Sequence, residues 1–171
     1  MDIIEALLTR RSVRSFTDEP VTEEQIKQLL RAAMQAPSAG NQQPWHFVII
    51  TERHLLNRIA LINPHADMCR LAPVSILICG DERLEKHPGY WVEDCSAAAE
   101  NLLLAAHGMG LGAVWTGIHP VAERVAGFRS LFDLPSSIHP LGLMVVGVPA
   151  ERPVPVDRYK EDRVQWNHWA G

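Results

Sequence analysis

The sequence predicts one domain that mixes helices and strands, and three observations carry that expectation. At 171 residues the chain is long enough to bury a single proper core. Residues 22–34 place Ile26, Leu29, Leu30 and Ala33 at helical spacing, and residues 91–109 form the longest helical candidate. The stretches 45–51, 74–80 and 141–148, together with a run ending at Trp115-Thr116-Gly117, are short, apolar and rich in β-branched or aromatic residues, as strands are.

Taken in order, Asp2 can cap a short helix whose apolar face is Ile3, Ile4, Leu7 and Leu8. Pro20-Val21 closes a loop, and Thr22-Glu23-Glu24-Gln25 has the capping-box pattern that opens the second helix. Leu55, Leu56 and Ile59 predict a short helix that ends near Asn63-Pro64. The polar stretch from Arg83 to Gly89 is a connection with no readable chemistry. Within the long helix, Ala97, Ala98, Ala99, Leu102, Leu103, Leu104, Ala105 and Ala106 leave almost no polar face. Such a helix must be covered on all sides, which in a small chain points to a partner subunit. Residues 121–132 predict one more helix. Pro149, Pro153 and Pro155 then stiffen a connector into a polar tail carrying Trp166 and Trp169. Two tryptophans in such a tail predict an arm, residues 149–171, that packs on a second copy.

The formal net charge of −4 and the lack of a basic run argue against nucleic acid as a partner. No stretch reads as a membrane span, and the N-terminus lacks the basic region of a secretory signal. Cys69, Cys79 and Cys95, an odd set without C-x-x-C spacing, fit buried thiols in a reducing compartment, so the expected location is cytoplasmic.

The segment Ala36–Trp45, APSAGNQQPW, is the least ordinary connection in the chain. It brackets small residues and the amides Asn41, Gln42 and Gln43 between prolines, which suits close approach by a flat neutral heterocycle but equally an ordinary turn. Arg10-Arg11-Ser12-Val13-Arg14-Ser15 can complement a helix C-terminus or gather charge-assisted donors around a phosphate. The glycines of Gly108-Met109-Gly110-Leu111-Gly112-Ala113 do not make a dinucleotide fingerprint, because a helix precedes them and a strand follows. H-E-x-x-H, G-x-S-x-G and P-loop patterns are missing, and the scattered histidines predict no metal site. Asp81-Glu82 is read as a solvated strand edge ahead of an acid–base or metal pair. A chain of this kind either only binds something or borrows its chemistry from a cofactor.

The R-R-S-V-R cluster, the PSAGNQQPWHF loop, the WTG strand end and the basic tail, in that order, resemble the nitroreductase family of FMN-dependent oxidoreductases. That resemblance implies an α+β fold, a mostly antiparallel central sheet flanked by helices, assembled as an intertwined homodimer with FMN at the subunit interface. By it, Arg10, Arg11 and Ser12 match phosphate contacts, and Arg14 matches the cation beside the flavin pyrimidine. Pro37, Ser38, Asn41 and Gln43 match the loop that reaches the partner's flavin, and Trp115, Thr116 and Gly117 the segment whose amides face N5 and O4. Lys160 or Arg163, the latter preferred, matches the tail cation on the phosphate; Asn63 and Arg70 are lesser matches to a polar position before the second strand. The resemblance implies that the flavin carries the chemistry, with no catalytic side chain and no metal. NADH or NADPH would reduce it, and a nitroaromatic, quinone or similar acceptor would reoxidise it in ping-pong fashion. The short stretch after Asp81 implies an open, shallow site. A second reading with the same motifs is a flavin-binding dimer that stores, carries or senses FMN.

Overall fold

The chain is seen in a computed structural model that describes residues 1–169. Helix α1 (Ile3–Thr9) starts at Asp2, whose Oδ1 accepts the amides of Ile4 at 2.8 Å and Glu5 at 2.9 Å. Helix α2 (Glu23–Ala33) opens with the expected capping box. The Gln25 amide donates to Thr22 Oγ1 at 3.2 Å, and the Thr22 amide donates to Gln25 Oε1 at 2.8 Å. Both caps satisfy helix-end donors that would otherwise have no partner.

Strands β1 (Trp45–Ile50), β2 (Val74–Asp81), β3 (Gly112–Gly117) and β4 (Ile138–Gly147) form one antiparallel sheet in the order β1-β2-β4-β3. Side chains alternate across it. Ile76, Ile78, Met144 and Val146 pack with α2 and with α4 (Trp91–Gly108). Leu77, Leu143 and Val145 pack on the other face with α3 (Arg53–Ile62) and α5 (Ala122–Leu131). The central strand β2 is buried at every position. The result is an α+β domain with a helix layer on each face of an antiparallel sheet.

β4 begins three residues before the apolar run 141–148 suggests, taking in Ile138, His139 and Pro140. A proline removes a ladder donor, which discourages reading a strand through it. Here the register slips between Ile78 and Cys79, and Pro140 is accommodated opposite Cys79 at that irregularity.

After α1 the chain runs alongside β3. The Val13 amide donates to the Ala113 carbonyl at 3.0 Å, and the Thr17 amide to the Val148 carbonyl at 2.9 Å. Gly112 permits this approach, since a Cβ there would lie 2.7 Å from Val13 Cγ1.

Some apolar surface has no cover within the chain. Only Ala6 of α1 is buried, while Ile3, Ile4, Leu7 and Leu8 stand 49–67% exposed on its outer face. Ala97, Leu104 and Ala105 of α4 are half-buried, and every described residue from Glu151 onward is exposed. Among the described residues no helix is long and apolar enough to cross a membrane.

Candidate active site

β3 is an edge strand, so alternate backbone groups face away from β4. The Ala113 carbonyl faces outward to Val13, and by the same alternation the polar groups of Trp115 and Gly117 face outward too. The outward carbonyl of Gly117 accepts Asn63 Nδ2 at 3.3 Å and Arg124 Nη1 at 3.0 Å. Trp115, Gly117 and Arg124 line a cleft of about 390 Å³ together with Thr116, Arg14, His65 and Met68. Arg14 is exposed, and its guanidinium makes no hydrogen bond or ion pair among the described residues. Thr116 is buried, its hydroxyl donating to the Leu143 carbonyl at 3.3 Å, and by the same alternation its backbone N–H and C=O face β4 rather than the cleft.

The other arginines of the cluster point elsewhere. Arg11 donates to the Arg10 carbonyl at 2.7 Å and the Leu8 carbonyl at 3.4 Å, serving the end of α1, and reaches the Val156 carbonyl at 2.5 Å. Its Nε is buried without a partner. Arg10 pairs with Glu100 of α4 at 3.4 Å, and Ser12 between them and Arg14 is half-buried. Arg10 and Arg11 line a groove of about 640 Å³ against Pro155, Val156, Arg158 and Tyr159 of the tail. Lys160 and Arg163 lie beyond, exposed and without side-chain partners among the described residues.

The loop after α2 forms a third group, separate from the cleft. Gly40, Asn41 and Gln43 all adopt positive φ, which favours glycine and asparagine and turns the chain sharply. Ser38 Oγ accepts the Gln43 amide at 3.0 Å, and Gln43 Nε2 donates to Asn41 Oδ1 at 2.9 Å. Pro37, Asn41 and Gln43 are exposed, while Gln42 is buried and fastens the loop. Gln42 Nε2 donates to Asp94 Oδ2 at 2.6 Å, and its Oε1 accepts the amides of Lys86 at 2.8 Å and His87 at 3.0 Å. Asp94 Oδ1 takes the Ala39 amide at 2.9 Å. In one chain, then, the sequence-predicted residues fall into three groups: Arg14 with Trp115–Gly117, Arg10 and Arg11 with the tail, and the Pro37–Gln43 loop. The sequence does not mark Asp94 or Arg124 as site residues, and it does not separate the buried Gln42 from the neighbouring amides Asn41 and Gln43. Nothing in the local pattern of α4 or α5 says which polar side chain crosses to which loop.

Against known families, the family model described as the nitroreductase family matches residues 7–66 and 63–148, most of the chain. The chain belongs to the nitroreductase family. A Methanothermobacter thermautotrophicus protein provisionally named NADH dehydrogenase/NAD(P)H nitroreductase is 47% identical over 169 residues, covering 99% of this chain and 88% of that one. A crystal structure of a similarly named Parabacteroides distasonis protein superposes with a TM-score of 0.94 at 41% identity, covering 98% of each chain. A nitroreductase-like protein from Desulfovibrio desulfuricans, solved in complex with FMN, gives a TM-score of 0.86 at 28% identity, over 99% of this chain and 98% of that one.

Other ionisable groups of this nitroreductase are structural. Asp81 Oδ1 accepts Arg83 Nε at 2.9 Å and the Arg83 amide at 3.0 Å, and Oδ2 accepts Arg83 Nη2 at 2.7 Å. The Arg83 guanidinium holds that carboxyl far below the usual carboxylate range. Glu82 lies 2.8 Å from His139 Nε2, whose Nδ1 faces Arg129 at 3.2 Å. Because arginine only donates, Nδ1 accepts and Nε2–H donates to Glu82. Burial pushes the Cys69 thiol up to about 11 and that of Cys79 to about 12, and it raises Cys95 as well, so none is poised as a thiolate. Among the described residues no cluster of three metal-ligating side chains occurs.

Proposed function

We propose that this nitroreductase-family chain is an FMN-dependent NAD(P)H oxidoreductase that works as a homodimer. One observation carries the reading: the unpaired Arg14 guanidinium lines the same cleft as the outward-facing backbone of Trp115 and Gly117. A flavin presents acceptors at N1, O2, O4 and N5 around the N3–H donor and gains negative charge near N1 and O2 on reduction, so edge amides and a free cation suit it. What FMN supplies when bound is hydride acceptance at N5 and delivery to a second molecule, a nitroaromatic or quinone, in ping-pong order.

The chain's own residues bind and orient. Arg14 would hold the charge that develops at the pyrimidine edge, and the amides of Trp115 and Gly117 would bind the ring. Arg10, Arg11 and Ser12, with Arg163 or Lys160 from the tail, hold the phosphate. Arg10 must first release Glu100, a partly exposed pair whose loss costs at most about 1 kcal/mol. Pro37, Ser38, Asn41 and Gln43 would reach the partner's flavin from a loop that Asp94 and Gln42 fasten.

The test is anaerobic. The protein is saturated with FMN, freed of excess and mixed with NADH or NADPH while the visible flavin absorbance is followed. Bleaching by one donor, reversed by a nitroaromatic or quinone, is expected. Flavin that stays bound and oxidised with both donors rejects the enzyme and leaves a carrier.

A further inference from the structure

Gly117 ends an edge strand, is exposed, and has nothing within 4 Å of where a Cβ would sit. A glycine in that place is the residue most free to change direction. Yet its carbonyl is held from two sides. Asn63, fully buried, donates Nδ2 at 3.3 Å, and its own Oδ1 is fixed by the His65 amide at 3.1 Å. From the first turn of α5, Arg124 donates Nη1 at 3.0 Å. A carbonyl oxygen has two lone pairs, so both acceptor positions are filled. On the other side of the same peptide, the Ile118 amide donates to the Leu141 carbonyl at 3.2 Å. The Gly117–Ile118 peptide is therefore tied to the sheet by its N–H and to two helical elements by its C=O.

We propose that Arg124, together with Asn63, is a positioning residue that clamps the Gly117 carbonyl and thereby aims the neighbouring Gly117 N–H into the cleft. In extended backbone the N–H and C=O of one residue point the same way, so fixing the carbonyl fixes the donor. Arg124 also makes the bond charge-assisted and polarises the peptide, strengthening the Ile118–Leu141 bond in series. Neither side chain needs to touch a ligand. The clamp belongs to the chain itself, and its effect on flavin rests on the function proposed above.

Two readouts separate those parts. In the FMN-free protein, amide hydrogen exchange at Ile118, whose N–H is bonded to the Leu141 carbonyl, is followed by NMR for wild type, Arg124→Gln, Arg124→Lys and Asn63→Ala. In the FMN-loaded protein, the flavin midpoint potential and visible band position are measured for the same set. Arg124→Gln and Asn63→Ala are each expected to speed exchange at the Ile118 amide by about fivefold, the loss of one net hydrogen bond. They are expected to shift the flavin band and potential in the same direction. Arg124→Lys, which keeps the charge but not the fork, is expected to fall between wild type and Arg124→Gln. Asn63 is buried and its variant can misfold; the variants of Arg124, which is only half-buried on α5, then decide alone. Exchange unchanged in Arg124→Gln overturns the clamp. Wild-type protein that binds no FMN sinks the proposed function while the exchange data still judge the clamp.

Discussion

Arg11 and Arg14 stand three positions apart, yet their guanidinium groups meet different surroundings. Arg11 spends its donors on backbone carbonyls at the end of α1 and in the tail, whereas Arg14 faces the cleft with none engaged. Sequence spacing cannot separate the two, because both arginines follow the same helix and either can serve its C-terminus. Arg14→Gln is expected to weaken FMN binding about tenfold and lower its reduction potential, the loss of one charge-assisted contact, with Arg14→Lys retaining most of both. Titration against FMN and spectroelectrochemistry check it. Acid stability is set partly by Asp81. Its folded carboxyl titrates well below the unfolded value of ~3.9, so the unfolded chain takes up its proton first as pH falls. That contribution is complete above the ordinary carboxylate range and drains away beneath it. Asp81→Asn is expected to lose stability at neutral pH and to show a shallower decline toward acid, as read by denaturant titration at several pH values. His107 works with the same sign at higher pH. Burial, then Arg152 and Arg10, lower its pKa, so stability is lost as pH falls through ~6.5, the unfolded histidine value.

At the scale of elements, the pairing of β3 with β4 determines where Trp115 sits. The Trp115 indole lies directly over Gly142, where any Cβ would collide with its Nε1. Gly142→Ala is expected to cost about 1–3 kcal/mol and to tilt the indole, checked by thermal unfolding and by FMN affinity. The loop after α2 depends on a carboxylate from α4 in the same way. Asp94→Ala leaves the Ala39 amide and Gln42 Nε2 without their partner and is expected to cost about 2–3 kcal/mol. Faster proteolysis within residues 37–43, with the rest of the chain intact, would show that the loop rather than the whole fold is loosened. Much of this level is legible in the sequence. Asp2, the Thr22–Gln25 box and the β-branched runs are local signals, and they sit where those signals place them. Illegible is whatever depends on contact across the chain: Pro140 inside a strand, Asp94 under a distant loop, Arg124 on a strand end. Each is set by tertiary register, which no window of neighbouring residues contains.

For the molecule as a whole, the uncovered surface is as informative as the core. The outer face of α1, the half-covered residues of α4 and Val154, Val156, Tyr159, Trp166 and Trp169 of the tail are apolar or aromatic surface that a second copy of this chain would bury. Removing the chain from Tyr159 onward is expected to weaken both self-association and FMN retention. Sedimentation across a concentration series and flavin content after gel filtration measure the two. A shortened chain that remains dimeric and yellow would refute the arm.

The placement of the tryptophans also gives the protein a built-in optical label. Of five in the sequence, Trp45 is buried, Trp91 and Trp115 are half-buried, and Trp166 and Trp169 are 82% and 84% exposed. An indole in water emits at longer wavelength than one in an apolar contact, so the tail pair governs the red side of the intrinsic emission. Dilution of the assembled protein should therefore redden that emission with no dye attached, and a variant lacking only those two indoles should stay silent under the same dilution.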